Sequence, residues 1–326
     1  MARIRMATGP DPMWELLLSL HLLGGNDGSV VFGAWKRHIR NRLPGSTRLL
    51  FELAPPRGYS ADFLTPMPDR GGLETGIDAV LSTSRGGLRR DIARLAAARH
   101  LGARTLSLAE AGSDAMRFLG TALRGYFNVA LRPYWAQVRT SIEADRAVRV
   151  RAILDGGTEG MLSNLHPALS WQPGVLSVAS AYDRDIRLDG RGLLLLPSFF
   201  CWRAPITLRD PALPPVVVYP IAHDLGWSQA DDGKRHEARE ALGTLLGRTR
   251  ADVLAAVVDQ GGSTSDLARR LVVSPASVSQ HAAALRDSGL IVTRRCGQSV
   301  HHSATTLGSA LLGGHRNIPQ ASLLGG

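Results

Sequence analysis

Lysine is nearly absent from this chain: Lys36 and Lys234 are its only two, so almost all of its 38 basic residues are arginine. Cysteine is as scarce, with Cys201 and Cys296 far apart in sequence. That spacing excludes a disulfide framework and a thiolate zinc site, and it points to a reducing compartment. Long apolar runs are missing too. The longest, such as "LLLLP" at 193–197, fall far short of the ~20 residues that cross a bilayer. The start, "MARIRMATGPDPMWELLLSLHLLGG", has a basic end and an apolar stretch, but Glu15 and His21 interrupt it and no small-residue cleavage pattern follows. It is expected to be an amphipathic helix with Trp14, Leu17, Leu18 and Leu22 on one side. No membrane association is expected, and the protein should be soluble and cytoplasmic. Catalytic signatures are absent as well: there is no Gly-x-Ser-x-Gly elbow, no phosphate loop ending in Gly-Lys-Ser/Thr, and no His-Glu-x-x-His helix. An enzyme therefore has no positive support, and no cofactor is implied.

What is present is 326 residues, 44% hydrophobic and 20% charged, with a net charge of +10. That length exceeds what one domain usually holds. The positive charge is guanidinium, whose planar fork suits phosphates and base edges. The preference for arginine over lysine equally fits a GC-rich genome. Up to about Gly157 the pattern is helical: "SVVFGAWKRHIRNRL" ends before Pro44, and "GGLRRDIARLAAARHLG" puts Leu88, Ile92, Leu95 and Ala96 on one face. The stretch from "AGSDAM" to "AILDGG" follows, with Pro133 as a break or kink. After about His166 the period shortens. "GVLSVAS", "RGLLLLPSFFCW" and "PPVVVYPI" read as a small, mostly antiparallel sheet, and "DRDIRLDG", with Asp183, Asp185 and Asp189, reads as a strand with one solvated face. The polar segment "GWSQADDGKRHEARE", with the turn Asp231-Asp232-Gly233, marks the domain boundary.

Beyond it the order is helix, helix, turn, helix, hairpin. "ADVLAAVVDQGG" is one helix, and "SDLARRL" is a second that Ser263 or Thr264 can cap, with Asp266 at its positive end. "SPASVSQHAAALRDSGL" opens on Ser274 as cap and Pro275 as first helical residue and stops at Gly289. Val278, Ala282 and Leu285 form the face that packs on Leu267, Ala268 and Leu271, while Ser277, Ser279, Gln280 and Ala283 face away. Those side chains are small or amide-bearing, and a glutamine can pair bidentately with adenine in a major groove. Two helices across a short turn match a helix-turn-helix, whose second helix reads bases. "LIVTRR", the turn "CGQS" and "VHHSAT" form a hairpin carrying Arg294, Arg295, Gln298, His301 and His302, a wing suited to the DNA backbone or minor groove. His301 and His302 cannot readily share a metal, since strand neighbours point to opposite faces.

The segment "STSDLARRLVVSPASVSQHAAALRDSGLIVTRRCGQSVHHSAT" resembles the winged helix of ArsR-family bacterial repressors, through the run Val278-Ser279-Gln280-His281, the "LRDSGL" end and the arginine-rich wing. The likeness covers about 235–312. The longer plan, with "PPRGYSADFLTP", "LHPALSW" and "GRGLLLLPSFFCW" in the leader, is similar to actinobacterial regulators in which a long N-terminal domain precedes the ArsR-like unit. The resemblance implies double-stranded DNA as partner and a homodimer formed through helices flanking the winged unit, here "ALGTLLG" and "TLGSALLGG". Metal-sensing members carry paired cysteines on the helix equivalent to "SDLARRL", or carboxylate and His ligands on the terminal helix. This chain has neither, so no metal role through those sites is expected.

The expected fold class is α+β: a mainly helical N-terminal domain with a small β-sheet over 1–235, a winged helix-turn-helix over 236–312, and a flexible tail over 313–326. The expected function is a sequence-specific transcriptional regulator, a repressor acting as a homodimer on a pseudo-palindromic operator. Its candidate DNA contacts are Thr264, Ser274, Ser277, Ser279, Gln280, His281, Arg286, Arg294, Arg295, Gln298 and His301. Tyr134, Trp135, Trp171, Phe199 and Trp202 are candidates to line a pocket for a small organic effector, although aromatic side chains also dominate ordinary cores. The alternative is an effector-binding or enzymatic N-terminal domain for which the winged helix is a protein-docking module.

Overall fold

The structure, a computed structural model, describes residues 4–66, 72–179, 185–208, 213–223, 227, 240, 242–296 and 299–313. The chain divides into two compact units, Met1–Ser228 and Gln229–Gly326. Asp183, the turn Asp231-Asp232-Gly233, Gln298 and the tail from 314 lie outside the described residues. Among the described residues no helix is long and apolar enough to cross a membrane.

The first unit opens with β1 (Ile4–Met6) and α1 (Pro12–Gly24). Asp11 caps α1, its carboxylate accepting the N–H groups of Met13 and Trp14 at 2.9 and 3.1 Å. The amphipathic expectation for this helix needs correction. Leu16 and Leu20 are as buried as Trp14 and Leu18, and of the thirteen residues only His21 and Gly24 escape the interior. A helix apolar on all sides belongs in a core rather than on its edge. Around it lie α2 (Ser29–Arg40), α3 (Thr47–Leu53), α4 (Leu73–Leu81), α5 (Arg85–Ala98), α6 (Ala103–Ser107) and α7 (Ser113–Ala130). Pro133 does break the helical run: a 3-10 turn, Arg132–Tyr134, separates α7 from α8 (Trp135–Ser163).

Strands follow. A separate antiparallel hairpin pairs β2 (Leu169–Gln172) with β3 (Val175–Val178). The main sheet has the order β1, β4 (Leu193–Ser198), β6 (Val216–Pro220), β5 (Ile206–Thr207). β1 and β6 both run parallel to β4, and only the short β5 is antiparallel. The expectation of a mostly antiparallel sheet is thus corrected. Every residue of β6 is buried, the signature of a parallel strand covered on both faces. The expected strand "DRDIRLDG" is also corrected over its described part. Residues 185–188 join no sheet, and Asp189 and Gly190 turn with positive φ of 47° and 77°. The Arg191 guanidinium donates to the carbonyls of Arg187 and Leu188 at 2.8 and 3.2 Å, supplying donors where a strand would have used a ladder.

One buried carboxylate joins α1 to the end of β4. Glu15 accepts the backbone N–H of Phe199 on Oε1 and that of Phe200 on Oε2, both at 2.9 Å. Beside this junction Phe199 and Phe200 pack edge-on against Phe32 and Trp227, while the indole N–H of Trp35 donates to the Ala130 carbonyl at 2.9 Å. Burial raises the Glu15 carboxyl from 4.5 to about 7, although its hydrogen bonds work against the shift. At the far end of α1, burial lowers His21, whose Nε2 meets the Ser60 hydroxyl at 2.8 Å, from 6.5 to about 4.

The two groups pull stability in opposite directions. Between pH 4.5 and 7 folded Glu15 holds a proton that the unfolded chain has released, so stability falls as pH rises through that window. Between pH 4 and 6.5 unfolded His21 binds a proton that the folded chain refuses, so stability rises with pH. Urea melts are expected to be nearly flat over their overlap in the native chain, to stabilise with rising pH in Glu15→Gln, and to destabilise with rising pH in His21→Gln. Equal pH profiles for all three proteins would contradict both assignments.

Candidate nucleic-acid interface

In the second unit a short helical segment at 242–246 precedes α9 (Arg248–Gln260), whose Ala251, Val253, Leu254, Val257 and Val258 are buried. A two-residue strand, β7 (Gly262–Ser263), leads into α10 (Thr264–Leu271). Of the two candidate caps, Ser263 is the one used. Its hydroxyl accepts the Asp266 N–H at 3.2 Å while the Asp266 carboxylate accepts the Ser263 N–H at 3.3 Å, a reciprocal capping box. The serine's hydrogen bonds, with the Arg269 charge adding to them, hold the Asp266 carboxyl below the usual carboxylate range.

The turn to the next helix passes through Val272, at φ 57° and ψ 43°, with 91% of its surface exposed. A β-branched residue in the left-handed region is strained, and here no burial offsets the strain. Then α11 (Pro275–Asp287) begins: Ser274 accepts the Ser277 N–H at 3.1 Å and Pro275 takes the first helical position. Its other end is a Schellman turn at Gly289, φ 70°, with the Leu290 N–H reaching the Leu285 carbonyl at 2.8 Å. Val278, Ala282 and Leu285 are buried, as are Leu267 and Ala268 across from them.

Turned away from that buried stripe, the outer face of α11 has Gln280 at its centre and Ala276 and Ala283 beside it, with Ser277 and Ser279 on the two flanks. Ser274, Ser279 and Gln280 are exposed; Ser277 and His281 are half-buried. Ala276 is missing from the sequence-based candidates, yet its spacing of four from Gln280 places it one turn earlier on the same face. Asp287 closes the face at its C-terminal end, partly neutralised by Arg286 at 3.1 Å. A carboxylate there repels phosphate, so only the N-terminal half of the face suits a polyanion.

The wing is β8 (Ile291–Cys296) paired antiparallel with β9 (Ser299–Ala304), and β7 joins the outer edge of β9. Its register separates the two histidines. His301 is exposed opposite Arg294, whereas His302 is buried, its Nε2 3.0 Å from the Thr264 hydroxyl and its Nδ1 3.0 Å from that of Thr293. Burial, with His301 and Arg286 adding to it, keeps the His302 imidazole below its ordinary pKa. Thr264 therefore spends its side chain on fastening the wing to α10. Arg294 and Arg295 are both exposed but on opposite faces of the ribbon. Behind the wing, α12 (Thr306–Gly313) returns to the end of α11, where Thr305 holds the carbonyls of Gly289 and Leu290 at 2.7 and 3.1 Å. Gly308 lies so close that a Cβ there would overlap the Leu290 carbonyl oxygen.

Residues 248–293 match the family model described as bacterial regulatory protein, arsR family. This segment is an ArsR-type helix-turn-helix domain. Such a domain implies a DNA-binding transcriptional regulator, and here a long N-terminal region precedes it. Comparison with curated proteins and with solved structures gives no match.

The candidate effector residues fall in different places. Tyr134 and Phe199 both pack on Trp227, at ring separations of 5.4 and 4.7 Å, and Trp202 joins the same cluster through Phe32 at 5.5 Å. Trp135 packs instead on Phe127, and Trp171 lies opposite Leu176 in the β2–β3 hairpin. Among the described residues there is no group of three His, Cys, Asp or Glu side chains able to hold a metal ion.

Two substitutions test how α11 is held in place. Val272→Gly should relieve the left-handed strain and stabilise the helix-turn-helix by about 1 kcal/mol, the gain being reduced by glycine's freedom in the unfolded chain. Ser274→Ala should cost a similar ~1 kcal/mol through the lost cap. Hydrogen exchange of the α11 amides is expected to slow about fivefold in the first and quicken about fivefold in the second.

Proposed function

We propose that the chain is a homodimeric repressor with no enzymatic activity of its own, which binds a pseudo-palindromic operator through α11. The observation that carries this reading is the uncharged, small-residue face around Gln280, presented by a helix whose start is sharply capped. Around it, Gln280, Ser277 and Ser279 approach base edges, Ser274 and the first N–H groups of α11 meet a phosphate, and Arg294, Arg295 and His301 on the wing lie along the backbone. Two-fold symmetry then spaces the half-sites one helical turn, about 10 bp, or a multiple apart. The helical segments that flank the winged unit support pairing there, since Leu245, Leu307 and Leu311 on them are exposed. Neither α10 nor α12 carries a Cys or His, and the one carboxylate on α10, Asp266, is committed to its cap, so sensing through the family's metal sites is not part of the proposal. Release would come from a change in the dimer or in the first unit that misplaces the two copies of α11.

Fluorescence anisotropy against DNA from the gene's own upstream region and a scrambled control, at two salt concentrations, tests the proposal. Gln280→Ala is expected to lose about 1–3 kcal/mol at one base position only. Arg295→Ala should weaken binding to every sequence and lower the salt slope by about 1. Equal, salt-erased binding to both DNAs would reject sequence reading and favour a protein partner for the winged unit. Turnover of a small molecule without DNA would reject the non-enzymatic role.

A further inference from the structure

The inner face of α8 is committed to the first unit. Val138 and Ile142 are fully buried, and Asp145 accepts the Tyr219 hydroxyl and pairs with Arg149, each at 2.7 Å. Half a turn away the helix presents Thr140, Glu143, Ala144, Ala147, Val150, Arg151 and Leu154, all exposed, with Leu154 at 80% and Val150 at 51%. A single exposed leucine is ordinary. Here, however, Ala147, Val150 and Leu154 follow the three-then-four spacing of a helix-packing seam, and together with Arg151 and Asp155 they line one open depression. The non-helical Gly156 and Gly157 end the stripe.

The distribution of size and charge along this stripe selects its occupant. Small side chains, Thr140, Ala144 and Ala147, lie at the N-terminal end, and the large Val150 and Leu154 at the C-terminal end. Glu143 precedes the midpoint at Ala147 and Arg151 follows it at equal distance. A parallel copy would set large on large and like charge level with like. An antiparallel copy related by a two-fold axis at Ala147 sets Val150 against Ala144 and Leu154 against Thr140. It also brings Glu143 of each copy level with Arg151 of the other. The Thr140 hydroxyl is already bonded to the Ala136 carbonyl at 3.0 Å, so covering it strands no donor.

We propose that the outward stripe of α8 is an antiparallel contact between two copies of this chain. It rests on the homodimer reading above and adds a contact surface outside the winged unit. One helix stripe is smaller than the ~800 Å² per partner of a standard interface, so it acts alongside the flanking helices of the second unit.

Sedimentation equilibrium of the full-length protein tests this, with circular dichroism to confirm that each variant is folded. Leu154→Glu is expected to raise the dimer Kd at least tenfold. Glu143→Arg and Arg151→Glu should each raise it several-fold, and the double variant, which restores opposite charges, should return to within about threefold of the native value. A native protein that stays monomeric with and without operator DNA would overturn the homodimer reading and this contact with it. A native dimer that Leu154→Glu leaves unchanged, or single reversals that the double variant fails to rescue, would overturn the α8 contact while the homodimer reading stood.

Discussion

A single carboxylate that has left water governs the first unit. Glu15 sits in the first turn of a helix buried on every side, and its two oxygens take the two backbone N–H groups where β4 ends. Without it those N–H groups would be buried and unanswered, a cost of about 1–3 kcal/mol each. With it, the start of the chain is held to a strand nearly two hundred residues later. The aromatic cluster of Phe32, Phe199, Phe200 and Trp227 can then close over the junction. A buried charge in such a place is usually costly. Its usefulness here is that a carboxylate can accept both N–H groups at once, whereas a neutral side chain of that size has one good acceptor.

The winged unit solves the same problem with neutral groups. His302 uses both ring nitrogens, one toward Thr264 at the start of α10 and one toward Thr293 on the neighbouring strand. The capping box next door orders the same corner. Helix, strand and wing thus meet where every polar group has a partner, leaving α11 to be presented rather than to hold the unit together. Its outer face can then be chosen for what it touches.

Much of this unit was legible because its signals are local. Ser263 and Asp266 stand at capping-box spacing, Ser274-Pro275 and Gly289 bracket α11, and Val278, Ala282 and Leu285 repeat at helical intervals. The choice between His301 and His302 for the interior was not local, since it depends on the register of β9 against both β7 and β8. The same limit explains the first unit. β1 is three residues long and pairs with a strand separated from it by eight helices, so no neighbouring residue announces a parallel sheet. The all-round burial of α1 was readable in Leu16 and Leu20, which fill the phase opposite Leu18, but a single apolar stripe explained the pattern more simply. The aromatic residues named for a pocket show a further limit: composition cannot say whether rings surround a ligand or one another.

The close approach of Gly308 to the Leu290 carbonyl has a mechanical meaning. Between the terminal helix and the end of α11 there is no side chain to compress and no spare residue to bend, because backbone rests on backbone and Thr305 clamps both carbonyls of the turn. A push on α12 therefore reaches α11 undiminished, as through a short rigid strut. Whatever shifts that helix sets the pitch of the reading head directly, without any need to unfold or loosen the unit between them.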